Sequence, residues 1–490
     1  MELEESQAAK RTGSSKEEEP PKDDNASVYG VDSELYIDPV KEAKLVAKLD
    51  LAFTPIIMLL YLVCFLDRSN IGNVKVAGIM EDIGGGEREF NIAVSIFYIT
   101  YVVFETPGSV LMKIITPRVM LTGLCTVWSL TTVFTGFIQN VGGLYTTRLI
   151  LGACEAGLFP CLNLYLTMVY RREEQAKRVA YLFCCTALAG AFGGLLAYGL
   201  LNLDGLSGYA GWRWVYIIEG LFSVVCAVIA WFGLPNDPTN AYFLSEEEKE
   251  MMRIRNAQRQ AYLGSEKFSW DEVRIAAKDT KLHFSALIQF CEDILLYGFS
   301  TFLPSILKEM NYSTLESNYL TIPVYIFGAI VFLTMAWISD RYQIRGPMII
   351  FTNIFGMIGY VLLLSVDLNG VKYFATFLCA IAVYTGPGLN VTWLNVNIAP
   401  HYRRATSIGL QQTIGNTAGI VAGQIYREVP YYLGNGFSLG ALFVGQLLIA
   451  GKIYHIRKQN TMKTKIESGE IPDKRKIKTG DRELDFRYHI

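Results

Sequence analysis

The sequence predicts an all-α membrane protein, with twelve transmembrane helices arranged as two six-helix bundles. Three observations predict it. Of 490 residues, 51% are hydrophobic and only 18% are charged, against roughly 25% charged in soluble domains. Apolar runs of about twenty residues, the length a helix needs to cross a bilayer, recur along most of the chain. One long charged segment then divides those runs six and six.

Residues 1–45 open the chain with a polar, charged stretch that includes Glu17-Glu18-Glu19-Pro20-Pro21 and few large apolar side chains. Such a composition buries too little surface to offset chain entropy, so this segment is read as a disordered cytoplasmic tail. It holds no apolar signal-peptide core, which leaves insertion to the first span. The first bundle, 46–234, is expected to place spans near 50–79, 90–112, 119–139, 143–170, 178–202 and 212–234. A cytoplasmic loop over 235–282 follows, with the charged stretch Leu244-Ser245-Glu246-Glu247-Glu248-Lys249. The second bundle, 283–455, is expected to place spans near 283–307, 319–339, 347–366, 371–397, 405–426 and 436–455, before a cytoplasmic tail over 456–490.

Basic residues set the orientation. Lys113 and Arg118 follow span two, and Arg171, Arg172, Lys177 and Arg178 follow span four. The middle loop carries Lys249, Arg253, Arg255, Arg259, Lys267, Arg274, Lys278 and Lys281. Arg341 and Arg345, then Arg403 and Arg404, mark later loops on the same side, whereas the opposite loops hold few, such as Arg88, Lys308 and Lys372. Positive charge stays inside, so both tails and the middle loop are expected in the cytoplasm.

Several function classes are disfavoured. The nine cysteines all fall in apolar segments and are read as packing residues, with no disulfide framework. The four histidines are dispersed, so no metal site and no cofactor is expected. Nucleotide loops, zinc spacings and the Gly-x-Ser-x-Gly elbow are absent from the sequence, which argues against an enzyme. No nucleic-acid partner is expected. The sequon at Asn311 falls in a predicted outer loop, and that at Asn25 in the cytoplasmic tail.

The chemistry is expected inside the spans. Asp67, Arg68, Arg148 and Glu155 lie within apolar helices, where a charge costs about 2.5–3.5 kcal/mol and normally faces a protein-lined cavity on a substrate or proton path. Two bases and two acids together suit a site that holds an anion and handles protons. Asp67 and Arg68 also fit a helix ending at the headgroups by snorkelling, but small and apolar residues continue to Ile79. Arg148 and Glu155 are seven apart, about two turns, and share one face. A structural ion pair, a proton switch, or both in one pair would account for them.

Other polar positions are weaker candidates. Glu105, before Pro107, reads as an anchor for a helix end, and Glu219 as structural. Glu292 and Asp293 fit a cavity wall or a misplaced span equally well. Lys75 either attracts anions or snorkels. The segment Trp337-Ile338-Ser339-Asp340-Arg341-Tyr342-Gln343-Ile344-Arg345 reads as a gate in which Asp340, Arg341 and Arg345 lock helix ends through ion pairs. Asn390, Thr392, Trp393, Asn395 and Asn397 in span ten, with Gln411, Gln412, Asn416 and Gln424 in span eleven, suit either interhelical hydrogen bonds or the far wall of a cavity. Tyr384-Thr385-Gly386-Pro387-Gly388 is expected to bend span ten.

Three segments carry a family resemblance: Phe65-Leu66-Asp67-Arg68-Ser69-Asn70-Ile71-Gly72-Asn73, the run from Arg148 to Glu155-Ala156-Gly157-Leu158-Phe159-Pro160, and Gly211-Trp212-Arg213-Trp214-Val215-Tyr216-Ile217-Ile218-Glu219-Gly220. They resemble the anion:cation symporter family of the major facilitator superfamily, as does Leu234-Pro235-Asn236-Asp237-Pro238 its fungal allantoate, nicotinate, pantothenate and biotin permeases. The likeness spans roughly residues 45–455. It implies two six-helix bundles, alternating access around a midplane site, and proton-driven uptake of small carboxylates. By position it makes Asp67 and Glu155 the protonatable acids, Arg68 the ligand of the substrate carboxylate, Arg148 the partner of the acid on its own helix, and Asn416 in Gly415-Asn416-Thr417-Ala418-Gly419 a cavity residue. The Gly-rich loop after span two departs from the superfamily pattern, since Pro107-Gly108-Ser109-Val110-Leu111-Met112-Lys113 lacks its acid. The later copy keeps Asp340 and Arg341. The expectation is a monomeric, proton-coupled importer of a small organic anion, such as the monocarboxylate nicotinate, in the plasma membrane. Export of an organic acid and non-transporting nutrient reception are the alternatives.

Overall fold

The computed structural model describes residues 37–111, 115–264, 270–399, 401–473, 475 and 480–490. Most of the expected disordered tail, the Asn25 sequon, Lys113 and Lys267 lie outside the described residues. Among the described residues every regular element is helical.

Helix α1 spans Pro39–Lys75, starting inside the segment expected to be disordered. The Asp38 carboxylate accepts from the Val40 amide, and Pro39 occupies a position where a missing N–H costs nothing. At 37 residues the helix is about 55 Å long, well beyond the hydrocarbon thickness. Its first turns therefore project and carry ionic contacts. Short α2 (Ile79–Asp82), α3 (Glu87–Leu111) and α4 (Pro117–Thr135) follow. Next come α5 (Val141–Glu155), α6 (Leu158–Val169), α7 (Arg172–Leu201) and α8 (Gly211–Gly233). The middle segment forms α9 (Glu246–Gly264) and α10 (Trp270–Ala277). The second half contains α11 (Thr280–Glu309), α12 (Thr314–Tyr319), α13 (Thr321–Tyr342), α14 (Arg345–Ser365) and α15 (Asn369–Val396), then α16 (His401–Asn416), α17 (Ala418–Ile425) and α18 (Tyr432–Glu467).

Among the described residues nine helical stretches are long and apolar enough to cross a membrane: α1, α5–α6, α7, α8, α11, α12–α13, α14, α15 and α18. Helices α3, α4 and α16–α17 occupy the positions expected for the other three spans. Within the first half α1 packs on α7 and α8, and α4 on α8; within the second, α14 packs on α15, and α11 on α15, α16 and α18. The halves meet along α1–α11, α3–α17 and α7–α13.

The two ends of the molecule differ. At the end away from the tails the halves are closed on each other. Gly72 of α1 lies so close to the Thr301 carbonyl of α11 that any Cβ would overlap it, and Gly419 is pressed against the Tyr98 ring. Lys308 Nζ and Thr314 Oγ1 donate to the Val76 carbonyl at 2.6 and 3.1 Å, and Gln424 Nε2 to Ser95 Oγ at 2.7 Å. At the tail-bearing end, each ion pair among the described residues stays within one half. Arg255 of α9 bridges Glu42 and Glu174 at 2.5 and 2.6 Å, and Lys48 meets Glu248 at 2.6 Å. Arg403 pairs with Glu272 of α10 at 2.9 Å. The middle segment is thus divided, α9 clamped to the first half and α10 to the second.

Residues 480–490 fold back onto the second half. The Asp481 carboxylate is fully buried between Lys281 and Arg403, 2.8 Å from the latter. The His489 carbonyl accepts from Trp393 Nε1 at 3.0 Å and from Asn397 Nδ2 at 2.8 Å. The Ile490 carbonyl accepts from the Arg345 amide at 2.7 Å, at the first turn of α14, where helical N–H groups lack partners.

Candidate functional site

Three helices present stripes of side chains toward one internal space between the halves. On α1 these are Tyr61, Phe65 and Arg68; on α3, Tyr101 and Glu105; on α11, Gln289, Asp293 and Tyr297. Spacings of three, four and seven put such residues on one helix face. Phe159, Phe183, Thr186, Leu296, Pro387, Gln412 and Asn416 complete the wall. The space is narrow, about 30 Å³, with a neighbouring void of about 20 Å³ that shares Phe65, Arg68 and Tyr297. That admits a few waters, so this closed form must widen to admit an organic solute.

Arg68 is the cation of the site. Its guanidinium lies 4.5 Å from the Phe65 ring centre, 4.8 Å from Tyr101 and 5.2 Å from Phe97. Nε donates to Glu155 Oε2 at 3.0 Å, Nη2 lies 3.0 Å from the same oxygen, and the Cys64 thiol donates to it at 3.3 Å. Both partners are buried, Arg68 at 8% exposure and Glu155 at 0%. A guanidinium charge is permanent, and its planar fork matches a carboxylate. The aromatic faces stabilise it further. The guanidinium thus holds one carboxylate, that of Glu155, at the cavity wall.

Opposite Arg68 the wall is polar and acidic. Glu105 accepts from Thr413 Oγ1 at 3.2 Å and from Asn416 Nδ2 at 3.3 Å, which ties α3 to α16 across the two halves. Asn416 Oδ1 in turn accepts from the Tyr297 hydroxyl at 2.5 Å. Asp293 accepts from Gln289 Nε2 at 3.0 Å. Among the described residues no cluster of side chains has the makings of a metal site.

Of the residues expected at the site, Arg68 and Asn416 line the space, and Glu155 touches it through Arg68. The others require correction. Asp67 is fully buried but points the other way, accepting from Ser223 Oγ of α8 at 2.9 Å. Consecutive helical residues are about 100° apart, so Asp67 and Arg68 cannot share a face. Arg148 donates to the Tyr216 hydroxyl at 3.4 Å and has no ion pair with Glu155 among the described residues. Seven residues share a face yet differ by about 10 Å in height, so the acid meets Arg68 of α1 instead. Thr392 bonds the Gly388 and Leu389 carbonyls of its own helix at 3.0 and 2.9 Å, as helical threonines do. Trp393 is fully buried beneath the folded-back tail. Neither lines the space.

Two of the three expected gate residues form an ion pair between helix ends, and the third does not. Asp340 pairs with Arg345 at 2.8 Å, joining the end of α13 to the start of α14, but Arg341 is exposed and lies 5.5 Å from the Trp337 ring. Glu105, read from sequence as a helix-end anchor, faces the cavity. Asp293 lines it, whereas Glu292 does not; the neighbouring acid accepts from Asn353 Nδ2 at 2.7 Å. Glu219 accepts from Asn70 inside the first half. Gln289 and the tyrosines were missed. Their signal was available as four-residue spacing along α11, since Gln289, Asp293 and Tyr297 fall on one stripe.

The model of the Major Facilitator Superfamily matches residues 57–423. An uncharacterised transporter of Schizosaccharomyces pombe is 51% identical over 91% of this chain and 90% of its own. The high-affinity nicotinic acid transporter of Saccharomyces cerevisiae is 33% identical over 91% of this chain and 85% of its own. Among solved structures, a D-xylose-proton symporter superposes with a TM-score of 0.63 at 12% identity, covering 81% of this chain and 97% of that one. A bacterial homologue of the human lysosomal transporter Spinster, in an inward-facing and occupied conformation, gives 0.62 at 16% identity, covering 86% and 97%. At such identities these structures bear on the fold alone. The family match, the relatives' extent and the membrane-length helices lead to one conclusion: this chain belongs to the major facilitator superfamily, and is a multi-pass membrane transporter rather than an enzyme.

Proposed function

We propose that the protein is a proton-coupled importer of a small organic anion, a monocarboxylate such as nicotinate, of the anion:cation symporter type. The observation that carries this reading is the buried Arg68–Glu155 pair at the cavity wall, 3.0 Å between charged atoms. Charge-assisted bonds of this kind are strong and geometrically demanding, and only a competing carboxylate or a proton on Glu155 replaces one at low cost. The nicotinic acid transporter of yeast supports the substrate class as a relative.

In the proposed cycle Glu155 ionises and holds Arg68 while the cavity is empty. A proton from outside neutralises Glu155, and Arg68 turns its guanidinium to the substrate carboxylate. The far end closes through the Gly72–Thr301 contact, the tail-bearing end opens, and proton and substrate leave into the cytoplasm. Twelve spans with both tails and the middle segment cytoplasmic fit the distribution of basic residues. If more protons than anion charges move, each net charge gains about 2.3 kcal/mol per 100 mV of inside-negative potential. The transporter works as one chain, at the plasma membrane.

The test is uptake of labelled carboxylate into proteoliposomes under an imposed pH gradient. Wild-type protein is expected to concentrate the label only with the outside acidic. Glu155→Gln is expected to bind and equilibrate substrate but not concentrate it. Concentrative uptake by Glu155→Gln would remove the coupling role.

A further inference from the structure

We propose that Glu105 is the inner latch of the transporter: as a carboxylate it holds α3 to α16 across the two halves, and a proton on it releases them. This rests on the proton-coupled reading above and adds a second acid to the same path. The starting point is where the halves bond each other. Among the described residues, one group of cross-half hydrogen bonds lies at the far end, such as those of Lys308 and Thr314 to Val76, of Gln424 to Ser95, of Ser95 to the Ile420 carbonyl and of Lys75 to Tyr431. The other group is at Glu105, about 15 Å beyond Ser95 along α3 at 1.5 Å per residue, where Thr413 and Asn416 donate to its carboxylate. Nearer the tails, the Asp340–Arg345 pair stays inside the second half, and the pairs of α9 and α10 each stay inside their own. Opening toward the tails therefore breaks the Glu105 bonds and spares the rest.

The geometry makes this latch sensitive to one proton. Asn416 Nδ2 lies 3.4 and 3.3 Å from Glu105 Oε1 and Oε2, and Thr413 Oγ1 lies 3.2 Å from Oε2. Asn416 is not free to offer its oxygen instead, because Oδ1 already accepts from the Tyr297 hydroxyl at 2.5 Å. Bonds to a carboxylate are roughly twice as strong as those between neutral groups. A proton removes that charge and turns one of the two acceptors into a donor that faces an N–H.

Glu105 is 5% exposed and lines the cavity, so a proton that enters with the substrate reaches it without crossing lipid. The other charged or titratable groups facing this space are Arg68 and Tyr61 of α1, Tyr101 of α3, and Asp293 and Tyr297 of α11, with Glu155 of α5 behind Arg68. Helices α6, α7, α15 and α16 present uncharged side chains to it. The two acids thus divide the coupling. Glu155 competes with the substrate for Arg68, and Glu105 keeps the tail-bearing end shut until a proton arrives.

The experiment measures the tail-bearing end on the purified full-length protein, without substrate. Spin labels go on cysteines introduced at Glu250 of α9 and Arg274 of α10, exposed positions on helices clamped to opposite halves. The distance between them is read by electron–electron double resonance at neutral and acidic pH. Wild type is expected to hold a short distance at neutral pH and to shift to a longer one on acidification. Glu105→Gln, which keeps the shape and lacks the charge, is expected to show the longer distance at neutral pH and to lose the pH response. Its KM for outside substrate is expected to rise about tenfold, as the outward-facing population falls. Asp293→Asn and Glu155→Gln are expected to keep the wild-type response. A wild-type distance indifferent to pH, or a Glu105→Gln distance that follows pH as wild type does, would overturn the inference. Loss of the response in Asp293→Asn or Glu155→Gln would place the switch on that acid and overturn it as well. No substrate is present, so a failed carboxylate uptake assay would remove the transport reading and leave the distance result to be judged by itself.

Discussion

The two halves of the transporter handle buried charge differently. In the first half an acid and a base meet inside the helical bundle, Arg68 with Glu155, while the other buried charges meet hydroxyls or an amide: Asp67 with Ser223, Arg148 with Tyr216 and Glu219 with Asn70. In the second half the interior is served by amides and hydroxyls. Gln289, Asn390 and Gln411 bond one another around Asp293, and Asn353 bonds Glu292. Its buried cations, Lys281, Arg345, Arg403, Lys452 and Lys463, gather at the tail-bearing end, where Lys452 lies 3.6 Å from the Trp393 ring centre. The difference teaches a division of labour. In the proposed cycle the first half supplies the charge that changes partner, and the second supplies an oriented wall whose polar groups hold one another in place.

Removing Arg68 breaks that comparison most severely. Arg68→Ala leaves Glu155 buried without its cation, a change that costs about 3–5 kcal/mol, and uptake is expected to fall by about a hundredfold or more. The double variant Arg68→Ala/Glu155→Gln removes both charges, so thermal stability in detergent is expected to recover while uptake stays lost. If uptake returned with stability, Arg68 would be a structural ion and nothing more. The neighbouring acid sharpens the point. Asp67→Asn keeps a partner for Ser223 and lies off the cavity, so it is expected to retain concentrative uptake that Glu155→Gln loses.

Closure of the far end is the next largest effect. Gly72 admits the Thr301 carbonyl at the α1–α11 crossing, where a side chain would overlap it. Gly72→Val is expected to hold the far end open, lowering uptake about tenfold or more, because overpacking a closed contact costs typically 1–3 kcal/mol. A single cysteine placed at Ser95, which bonds Gln424 across the halves, is expected to label faster in this variant. Unchanged labelling would mean that the crossing is not the closing contact.

Much of this architecture was legible in the sequence, because bilayer spans announce themselves by length and apolarity. Arg68, Glu155 and Asn416 were legible for the same reason: a polar group inside such a run stands out. What failed was direction. Asp67 sits beside Arg68 in sequence and away from it in space, and Arg148 shares a face with Glu155 two turns away. Composition says that a charge is buried, whereas helix phase and the neighbouring helix decide which partner it meets. Trp393 was misplaced because its partner is the His489 carbonyl, contributed by a segment 96 residues later that reads as a polar tail. The cross-half role of Glu105 was hidden for a like reason, since Asn416 lies 311 residues away.

The Glu105–Asn416 link gives a smaller prediction. Asn416→Ala removes the amide that joins Glu105 to the Tyr297 hydroxyl. Each lost buried bond costs about 1–3 kcal/mol, so KM is expected to rise about tenfold with proton coupling intact. Asn416→Asp, which puts a second acid against Glu105, is expected to be worse at neutral pH and to improve as the medium is acidified. The opposite pH trend would mean that the two side chains do not meet during transport.

The smallest effect on uptake is expected at Asp481, and it separates the tail-bearing end of the second half from the cavity. Burial alone would raise the Asp481 carboxyl, but Lys281 and Arg403 outweigh it and hold the group below its ordinary value of 3.8. A carboxylate whose folded value is depressed stabilises the docked state above its undocked value, and that stabilisation disappears as pH falls through the lower folded one. Segment 480–490 is therefore expected to stay docked from neutral pH down to about 4 and to loosen below it. Asp481→Asn, which leaves two buried cations without their carboxylate, is expected to loosen the segment at neutral pH. Hydrogen exchange of the Asp481, Tyr488 and His489 amides reads this directly. Wild type is expected to protect them at pH 7 and the variant to expose them, with substrate affinity unchanged because none of these residues lines the cavity. Protection in the variant equal to wild type would show that the backbone bonds to Trp393, Asn397 and Arg345 hold the segment without the ion pairs.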